Sequence, residues 1–214
     1  MDLFTKKYSH LFDSNGILPV ICLKSMSETE TFIEAIRETP IRCVEITLRH
    51  QFAKEAIKAI KSNLPGMTIG AGTVKNISLL KEAASYGADF CVAPGFTAEL
   101  LNEAHKDNMP FLPGASTPRE FMELLSYGYK TVKFFPAECM GGTKVLKLYE
   151  GAFSELSFLP TGGISALNYG DYCRCKNVIA CGGSFMIPSS MLQIGDAKGI
   201  AETINNVLKG TVNL

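Results

Sequence analysis

This sequence predicts a single (β/α)8 barrel of the TIM type over residues 1–214, in which residues 1–16 form a short N-terminal helical extension. Short apolar segments alternate with amphipathic segments eight times along the chain. The connections between them are short, and neither an internal repeat nor a linker divides the chain. Polar and charged residues also collect at the ends of several predicted strands, where such barrels place their active sites.

The predicted strands share short apolar runs. They cover residues 17–23, 41–47, 67–71, 89–93, 110–113, 130–135, 156–161 and 178–181. The predicted helices share apolar residues at intervals of three and four positions. They cover residues 27–37, 52–63, 77–86, 98–106, 118–127, 144–149, 166–174 and 200–208. Ser27 is a predicted N-cap of the first of these helices.

Leu3, Phe4, Tyr8, Leu11 and Phe12 recur at helical spacing and predict the N-terminal helix. A doubly wound open sheet is the alternative fold for the whole chain. Its usual phosphate signature, GxGxxG after the first strand, does not occur. The pattern Gly70-Ala71-Gly72 follows the third predicted strand and lacks the last glycine, so the barrel is favoured.

Composition excludes several classes of protein. Acidic and basic residues balance at 21 each, so neither nucleic acid nor an anionic membrane is an expected electrostatic partner. The seven cysteines are odd in number and form no CxxC pair, which fits a reducing compartment. The N-terminus has no apolar signal segment, so we expect a cytoplasmic protein. The three histidines lack metal-site spacing, and we expect no metal and no cofactor.

Lys133 stands out because it lies within the apolar segment Thr131-Val132-Lys133-Phe134-Phe135. Burying an ammonium group is costly, and a lysine in such surroundings tends to give up its proton. The neutral amine is a nucleophile for carbonyl substrates. The alternative is that Lys133 lays its aliphatic stem on the apolar surface and keeps its charged end in water.

Alternation along the second strand places Val44, Ile46 and Leu48 on the side that faces the helices. Glu45, Thr47 and Arg49 then share the side that faces the barrel interior. The same alternation turns Lys133 and Phe135 inward, while Thr73 and Thr161 lie where the third and seventh strands end. The alternatives are a surface ion pair between Glu45 and Arg49 on a helix and ordinary turn hydroxyls at the two threonines.

Two glycine segments follow the last two strands. Gly162-Gly163 comes after the seventh strand, and Gly182-Gly183-Ser184 comes after the eighth. The loops at these two positions are where TIM barrels bind phosphate, since glycine lets the backbone approach an anion and amides at helix starts donate to it. We therefore predict a phosphate group there, the alternative being two ordinary glycine turns.

These segments resemble the class I 2-keto-3-deoxy-6-phosphogluconate / 4-hydroxy-2-oxoglutarate aldolase family. The resemblance rests on segments that span nearly the whole chain in order. They are VEITLR (44–49), GAGTV (70–74), APG (93–95), PGAST (113–117), VKFFPAE (132–138), PTGGIS (160–165) and CGGS (181–184). The combination of VKFFPAE with PTGGI is specific, whereas the first 16 residues carry no part of the likeness.

The resemblance implies a carbon–carbon lyase that cleaves 2-keto-3-deoxy-6-phosphogluconate to pyruvate and glyceraldehyde 3-phosphate, a reaction of the Entner–Doudoroff pathway. It implies that Lys133 forms a Schiff base and that Glu45 is the general acid/base. It further implies roles in binding the rest of the substrate. Arg49 and Thr73 would hold the carboxylate, Pro94 and Phe135 would wall the pocket, Thr161 would lie near the substrate hydroxyls, and the backbone of Gly162, Gly163, Gly183 and Ser184 would take the phosphate.

The resemblance also implies a homotrimer. Departures from the family pattern are small: Phe185 stands where many members have tryptophan, and Cys139-Met140 replaces smaller residues. Lys24 occupies a position that is often basic, and His50 follows Arg49, but neither receives a role. Unphosphorylated 4-hydroxy-2-oxoglutarate, the 6-phosphogalactonate epimer and a non-catalytic phosphometabolite-binding barrel stay open as alternatives.

Overall fold

The structure is a computed structural model that describes residues 2–12 and 16–212, with side chains described as far as residue 209. The strands in this part of the chain are β1 Ile17–Ile21, β2 Cys43–Thr47, β3 Thr68–Gly72, β4 Phe90–Val92, β5 Phe111–Leu112, β6 Gly114–Ala115, β7 Thr131–Phe134, β8 Ser157–Pro160 and β9 Cys181–Gly183. The helices are α1 Leu3–Tyr8, α2 Met26–Arg37, α3 Ala53–Asn63, α4 Ile77–Tyr86, α5 Ala98–Lys106, α6 Pro118–Ser126, α7 Gly142–Ala152, α8 Tyr169–Cys173, α9 Ser189–Ile194 and α10 Ala197–Val212. A 3-10 turn at Ser9–Leu11 follows α1.

The strands form a curled parallel arrangement, so the predicted α/β class is confirmed. Regular pairing is divided between a sheet of order β5-β4-β3-β2-β1-β9 and a sheet of order β6-β7-β8. Isolated parallel bridges from Phe158 to Val178 and from Thr161 to Gly182 join the two sheets on one side. The hydrogen bonds between the described strands therefore do not form the closed ladder of eight strands that was expected.

The break on the other side has a local cause. The fifth predicted strand, 110–113, becomes the two-residue strands β5 and β6 on either side of Pro113. Proline has no N–H to donate to a ladder. Cys91 and Ala93 of the β4 segment donate to Pro110 and Leu112, whereas Lys133 of β7 donates to Pro113 itself at 2.9 Å. The chain thus changes partners at Pro113, which separates the two sheets.

Among the other boundaries that differ from the predictions, three have a clear local cause. The N-cap of α2 is Ser25 and not Ser27, because the Ser25 hydroxyl accepts the N–H of Glu28 at 3.1 Å. The eighth strand lies at 181–183 and not at 178–181, because its register is set by pairing with β1. Helix α8 begins at Tyr169 and not at 166, since the side chain of Asn168 accepts the N–H of Ser165 and holds a turn there.

The helix α9 was not predicted. The predicted N-terminal helix is confirmed over Leu3–Tyr8. It lies at the N-terminal ends of the strands, where the Asp2 carboxylate accepts the N–H of Lys130 at 2.8 Å and the Thr5 and Thr131 hydroxyls are 2.6 Å apart. The helix therefore covers that end of the strand assembly.

Two apolar clusters show which way the strand residues face. The inner cluster is enclosed by the strands and α1, and it consists of Phe4, Phe12, Leu18, Cys43, Phe90, Val92, Leu112, Leu159 and Ala180. The outer cluster lies between the strands and the surrounding helices and includes Val44, Ile46, Val132 and Phe134. The alternation predicted for the second and sixth strands is thereby confirmed on β2 and β7, so residues 45 and 133 face inward.

Candidate active site

A cavity of about 280 Å³ opens at the C-terminal ends of the strands. It is lined by all of the residues that the sequence placed in the site. These are Glu45, Arg49, Thr73, Pro94, Lys133, Phe135, Thr161, Gly162, Gly163, Gly183 and Ser184. Val20, Thr47 and Ile164 line it as well and had received no role. Residues from seven separate stretches of the chain therefore meet in one concave space, as at the active end of a barrel.

Lys133 and Glu45 form the centre of this cavity. The Lys133 Nζ atom lies 3.2 Å from Oε1 and 3.3 Å from Oε2 of Glu45. The lysine is 5% exposed and the glutamate 1%, so the alternative of a lysine whose charged end reaches bulk water is wrong. At this distance the amine and the carboxyl group are within reach of direct proton transfer. The Phe135 ring centroid lies 5.6 Å from Nζ and adds an aromatic face to the site.

Gly72 makes room for the Glu45 side chain. Residue 72 pairs with Thr47 in the parallel ladder between β2 and β3. A Cβ atom at position 72 would lie 2.1 Å from Glu45 Oε1 and 2.7 Å from its carboxyl carbon. Any side chain at this position would displace the carboxylate from Lys133. The glycine of the GAGT segment thus has a steric role in the site.

Arg49 and Thr73 lie on the neighbouring wall. The Arg49 Nε atom donates to the hydroxyl of Thr47 at 3.3 Å, and Thr47 is 2% exposed. Thr73 has a φ of +66°, in the left-handed region that threonine seldom adopts. Such strain is of order 1–3 kcal/mol and concentrates at functional sites. The wall therefore combines a guanidinium group that is oriented by a buried hydroxyl with a strained residue at the end of β3.

Thr161 presents a hydroxyl group that the described residues leave unpaired. Its Oγ1 atom is buried and has no hydrogen-bond partner within the described part of the chain. A Cβ atom on Gly182 would lie 2.3 Å from this oxygen, so the glycine keeps the space beside it open. Leaving a buried polar group unpaired is unfavourable, so this hydroxyl is a candidate contact for a ligand in the cavity that Thr161 lines.

The glycine segments form another part of the cavity lining. Gly162 and Gly163 have φ values of +100° and +82°, which side chains rarely tolerate. Helix α8 begins six residues after Gly163, so the expectation that these amides lie at a helix start is wrong for this loop. They belong to a turn instead, and turns with left-handed residues can also form anion-binding concavities.

Lys24 and His50 do not line the cavity. The side chain of Lys24 is exposed, and the backbone N–H of this residue donates to Glu28. His50 Nδ1 accepts the N–H of Phe52 at 3.2 Å, which places the ring at the start of α3. Within the described residues no group of three histidine, cysteine, aspartate or glutamate side chains is arranged to hold a metal ion. Likewise, no helix of that part has the length and hydropathy to cross a membrane.

Residues 10–203 match the family model described as "Aldolase: KDPG and KHG aldolase". The chain belongs to this aldolase family. A KHG/KDPG aldolase of Escherichia coli strain K12 is 40% identical over 200 residues, covering 94% of each chain. The family and the lyase class predicted from the sequence motifs are thereby confirmed.

Two solved structures are similar over nearly the whole chain. The KDPG aldolase of Legionella pneumophila, captured with pyruvate as a covalent carbinolamine intermediate, has a TM-score of 0.89 at 34% identity and covers 94% of this chain and 97% of its own. The 2-keto-3-deoxy-6-phosphogluconate aldolase of Zymomonas mobilis, solved with 3-phosphoglycerate, has a TM-score of 0.88 at 31% identity and covers 95% and 96%. The fold of this chain is therefore similar to that of two KDPG aldolases.

Proposed function

We propose that this protein is a class I aldolase that cleaves 2-keto-3-deoxy-6-phosphogluconate reversibly to pyruvate and D-glyceraldehyde 3-phosphate. The observation that carries the proposal is the buried contact of 3.2 Å between Lys133 and Glu45 at the base of the cavity. A buried amine beside a carboxyl group is the pair that Schiff-base chemistry requires. The covalent pyruvate intermediate named for the Legionella structure agrees with this chemistry.

The reaction begins with a proton transfer from Lys133 to Glu45. The neutral amine attacks the C2 carbonyl carbon, and Glu45 returns a proton as the carbinolamine loses water to give an iminium ion. Removal of the C4 hydroxyl proton then breaks the C3–C4 bond, whose electron pair passes into the iminium to form an enamine. The aldehyde leaves, C3 of the enamine takes up a proton, and hydrolysis releases pyruvate and the free lysine. Glu45 is the only carboxylate that the described residues place at the amine, so it carries these proton transfers.

The remaining residues of the cavity bind different parts of the substrate. Arg49, held by Thr47, and Thr73 bind the carboxylate next to the keto group, since a guanidinium group suits a planar carboxylate. Pro94 and Phe135 form the wall along the reacting carbons. The unpaired Thr161 hydroxyl bonds to the substrate hydroxyl groups. The backbone of Gly162, Gly163, Gly183 and Ser184 receives the phosphate.

Trapping with borohydride tests the proposal. Reduction in the presence of pyruvate is expected to attach one reduced pyruvate to Lys133, and peptide mass spectrometry would locate it. Lys133→Ala should abolish both the adduct and turnover. Lys130→Ala is the matched control, because residue 130 directly precedes β7 and does not line the cavity. An adduct on another lysine, or none on intact protein, would refute the Schiff-base mechanism.

A second substrate is 4-hydroxy-2-oxoglutarate, which would give pyruvate and glyoxylate by the same steps. The name of the Escherichia coli relative, KHG/KDPG aldolase, favours testing it. This substrate lacks the phosphate that the glycine loops would bind, so kcat/KM is expected to be lower than for the phosphorylated sugar acid. Assays on both substrates, and on the 6-phosphogalactonate epimer, rank the three. Ligand binding without turnover, unaltered in Lys133→Ala, would instead indicate a non-catalytic binding protein.

The same proposal extends to the architecture and the assembly. The bridges at Phe158 and Thr161, together with the change of partners at Pro113, support a single-domain (β/α)8 barrel with locally irregular pairing. Seven free cysteines support work in the reducing cytoplasm. A homotrimer is the proposed assembly, and light scattering coupled to size-exclusion chromatography would test it.

A further inference from the structure

Glu138 ends the VKFFPAE segment and has no part in the mechanism above. Its carboxylate nevertheless has a defined partner, because the Tyr172 hydroxyl of α8 donates a hydrogen bond to Glu138 Oε1. Tyr172 is fully buried although Glu138 is exposed. Burial raises the pKa of the Tyr172 phenol, and the hydrogen bond to Glu138 raises it further, so the phenol keeps its proton and stays a donor. The pair links the loop after β7 to α8.

Two glycines leave space for this pair. A Cβ atom on Gly163 would lie 2.6 Å from both Cβ and Cγ of Glu138. A Cβ atom on Gly142 would lie 3.0 Å from Glu138 Oε1 and 3.0 Å from the Tyr172 hydroxyl oxygen. Both glycines have positive φ values, +82° and +57°. The Glu138 side chain therefore lies directly against the backbone of the glycine turn that lines the cavity.

Backbone hydrogen bonds fix the direction of that turn. The N–H of Ala137 donates to the carbonyl of Thr161 at 2.8 Å, and the N–H of Glu138 donates to the carbonyl of Gly162 at 3.1 Å. In a trans peptide the C=O and the following N–H point in opposite directions. The N–H groups of Gly162 and Gly163 therefore point away from the 137–138 segment. Both glycines line the cavity. The 137–138 backbone, which the Glu138 side chain ties to Tyr172, therefore helps to set where these N–H groups lie.

We propose that Glu138 and Tyr172 are positioning residues for the phosphate end of the site. Tyr172 holds the Glu138 side chain, and Glu138 in turn holds the Gly162-Gly163 backbone in the orientation that binds a phosphate monoester. The inference rests on the proposed function for its choice of substrate. The pair sets the preference for phosphorylated over unphosphorylated substrates and leaves the chemistry at Lys133 unchanged.

The test compares Tyr172→Phe, Glu138→Ala and Glu138→Gln with the wild-type enzyme on 2-keto-3-deoxy-6-phosphogluconate and on 4-hydroxy-2-oxoglutarate. Losing the hydrogen bond should raise KM for the phosphorylated substrate about five- to tenfold in Tyr172→Phe and Glu138→Ala. In both variants kcat/KM for the unphosphorylated substrate should change less than about twofold. Glu138→Gln keeps an acceptor for the phenol and should stay near wild type. Tyr149→Phe, which removes a hydroxyl outside the cavity, is the control.

A second readout does not depend on turnover. Binding of sn-glycerol 3-phosphate, measured by calorimetry, should weaken by the same factor in Tyr172→Phe and Glu138→Ala. The inference would be overturned if kcat/KM fell equally on both substrates, or if neither Tyr172→Phe nor Glu138→Ala raised KM for the phosphorylated one. It would also be overturned if Glu138→Gln lost as much as Glu138→Ala, or if the wild-type enzyme did not bind glycerol phosphate. If borohydride trapped no pyruvate on Lys133, the proposed function would be overturned. The prediction for glycerol phosphate binding would then still be tested by calorimetry. Glu138 is exposed, so its variants keep the test valid if Tyr172→Phe folds poorly.

Discussion

The interior of the strand assembly has two layers that are built from the same strands. On β2, Cys43 belongs to the inner apolar cluster and Glu45 to the site; on β7, Thr131 contacts Thr5 of α1 and Lys133 contacts Glu45. Two residues along a strand span only about 7 Å. Over that distance the surroundings change from sealed and apolar to ionic and open to a cavity.

The difference follows from what covers each end. Helix α1 and the residues that follow it close the N-terminal end with Phe4 and Phe12, and the Phe4 ring packs against both Phe12 and Phe90. The C-terminal end has no such cover among the described residues and opens into the cavity. The side chains of both layers therefore face inward, but their roles differ. Those of the closed layer stabilise the fold, and those of the open layer form the site of the proposed chemistry. Substitutions in each layer can test this division.

The largest expected effect is in the closed layer. Phe4→Ala removes a fully buried ring and should lower the free energy of unfolding by about 3–5 kcal/mol. The folded fraction should keep the wild-type kcat, since Phe4 does not reach the cavity. Urea unfolding with activity measured per folded molecule checks both statements. Leu148→Ala, at a residue 74% exposed, should change stability by less than about 0.5 kcal/mol. A loss of kcat in folded Phe4→Ala would contradict the division.

The open layer should show the opposite pattern. Lys133→Met leaves the buried Glu45 carboxylate without its partner and should lower the free energy of unfolding by about 3 kcal/mol. Adding Glu45→Leu removes the unpaired charge, and the double variant should be as stable as wild type or more stable by about 1–4 kcal/mol. Both variants should be inactive. A double variant less stable than wild type would show that the ion pair itself contributes stability.

Gly72→Ala tests how closely the carboxylate is placed. A methyl group there meets Glu45 Oε1, so the acid/base group must move, and kcat/KM should fall about 10²-fold or more. Steady-state assays with circular dichroism separate this loss from unfolding. Gly66→Ala is the control, because a Cβ atom at position 66 meets nothing within 4 Å. Equal losses in the two variants would argue against a specific role for Gly72.

The smallest expected effect is at Thr47. Thr47→Val removes the acceptor for Arg49 Nε without changing the volume greatly, and the pyruvate concentration for half-maximal borohydride trapping should rise about fivefold. Thr47→Ser keeps the hydroxyl and should retain the wild-type value. If serine and valine lower trapping equally, the methyl group and not the hydroxyl is what the site needs.

Much of the site could be predicted because strand alternation is local. Glu45 and Lys133 each follow from a period of two within a few apolar residues. The N-cap of α2 was misplaced because Ser25 and Ser27 both precede the helix pattern. The hydroxyl of Thr47 was visible on the inward side, but its contact with Arg49 depends on the turn that follows β2. The pairing of Glu138 with Tyr172 joins residues 34 positions apart and has no local signature.

The sequence alone determined the alternation of most strands and helices, the inward side of the second and sixth predicted strands and the types of residue at the strand ends. These follow from the spacing of side chains along a single segment. Only the tertiary structure decided that Lys133 and Glu45, 88 positions apart, approach within 3.2 Å, that Pro113 divides the pairing, and that α1 closes one end. Such distances depend on how separate strands pair and curl, because backbone pairing and not local periodicity sets one strand beside another.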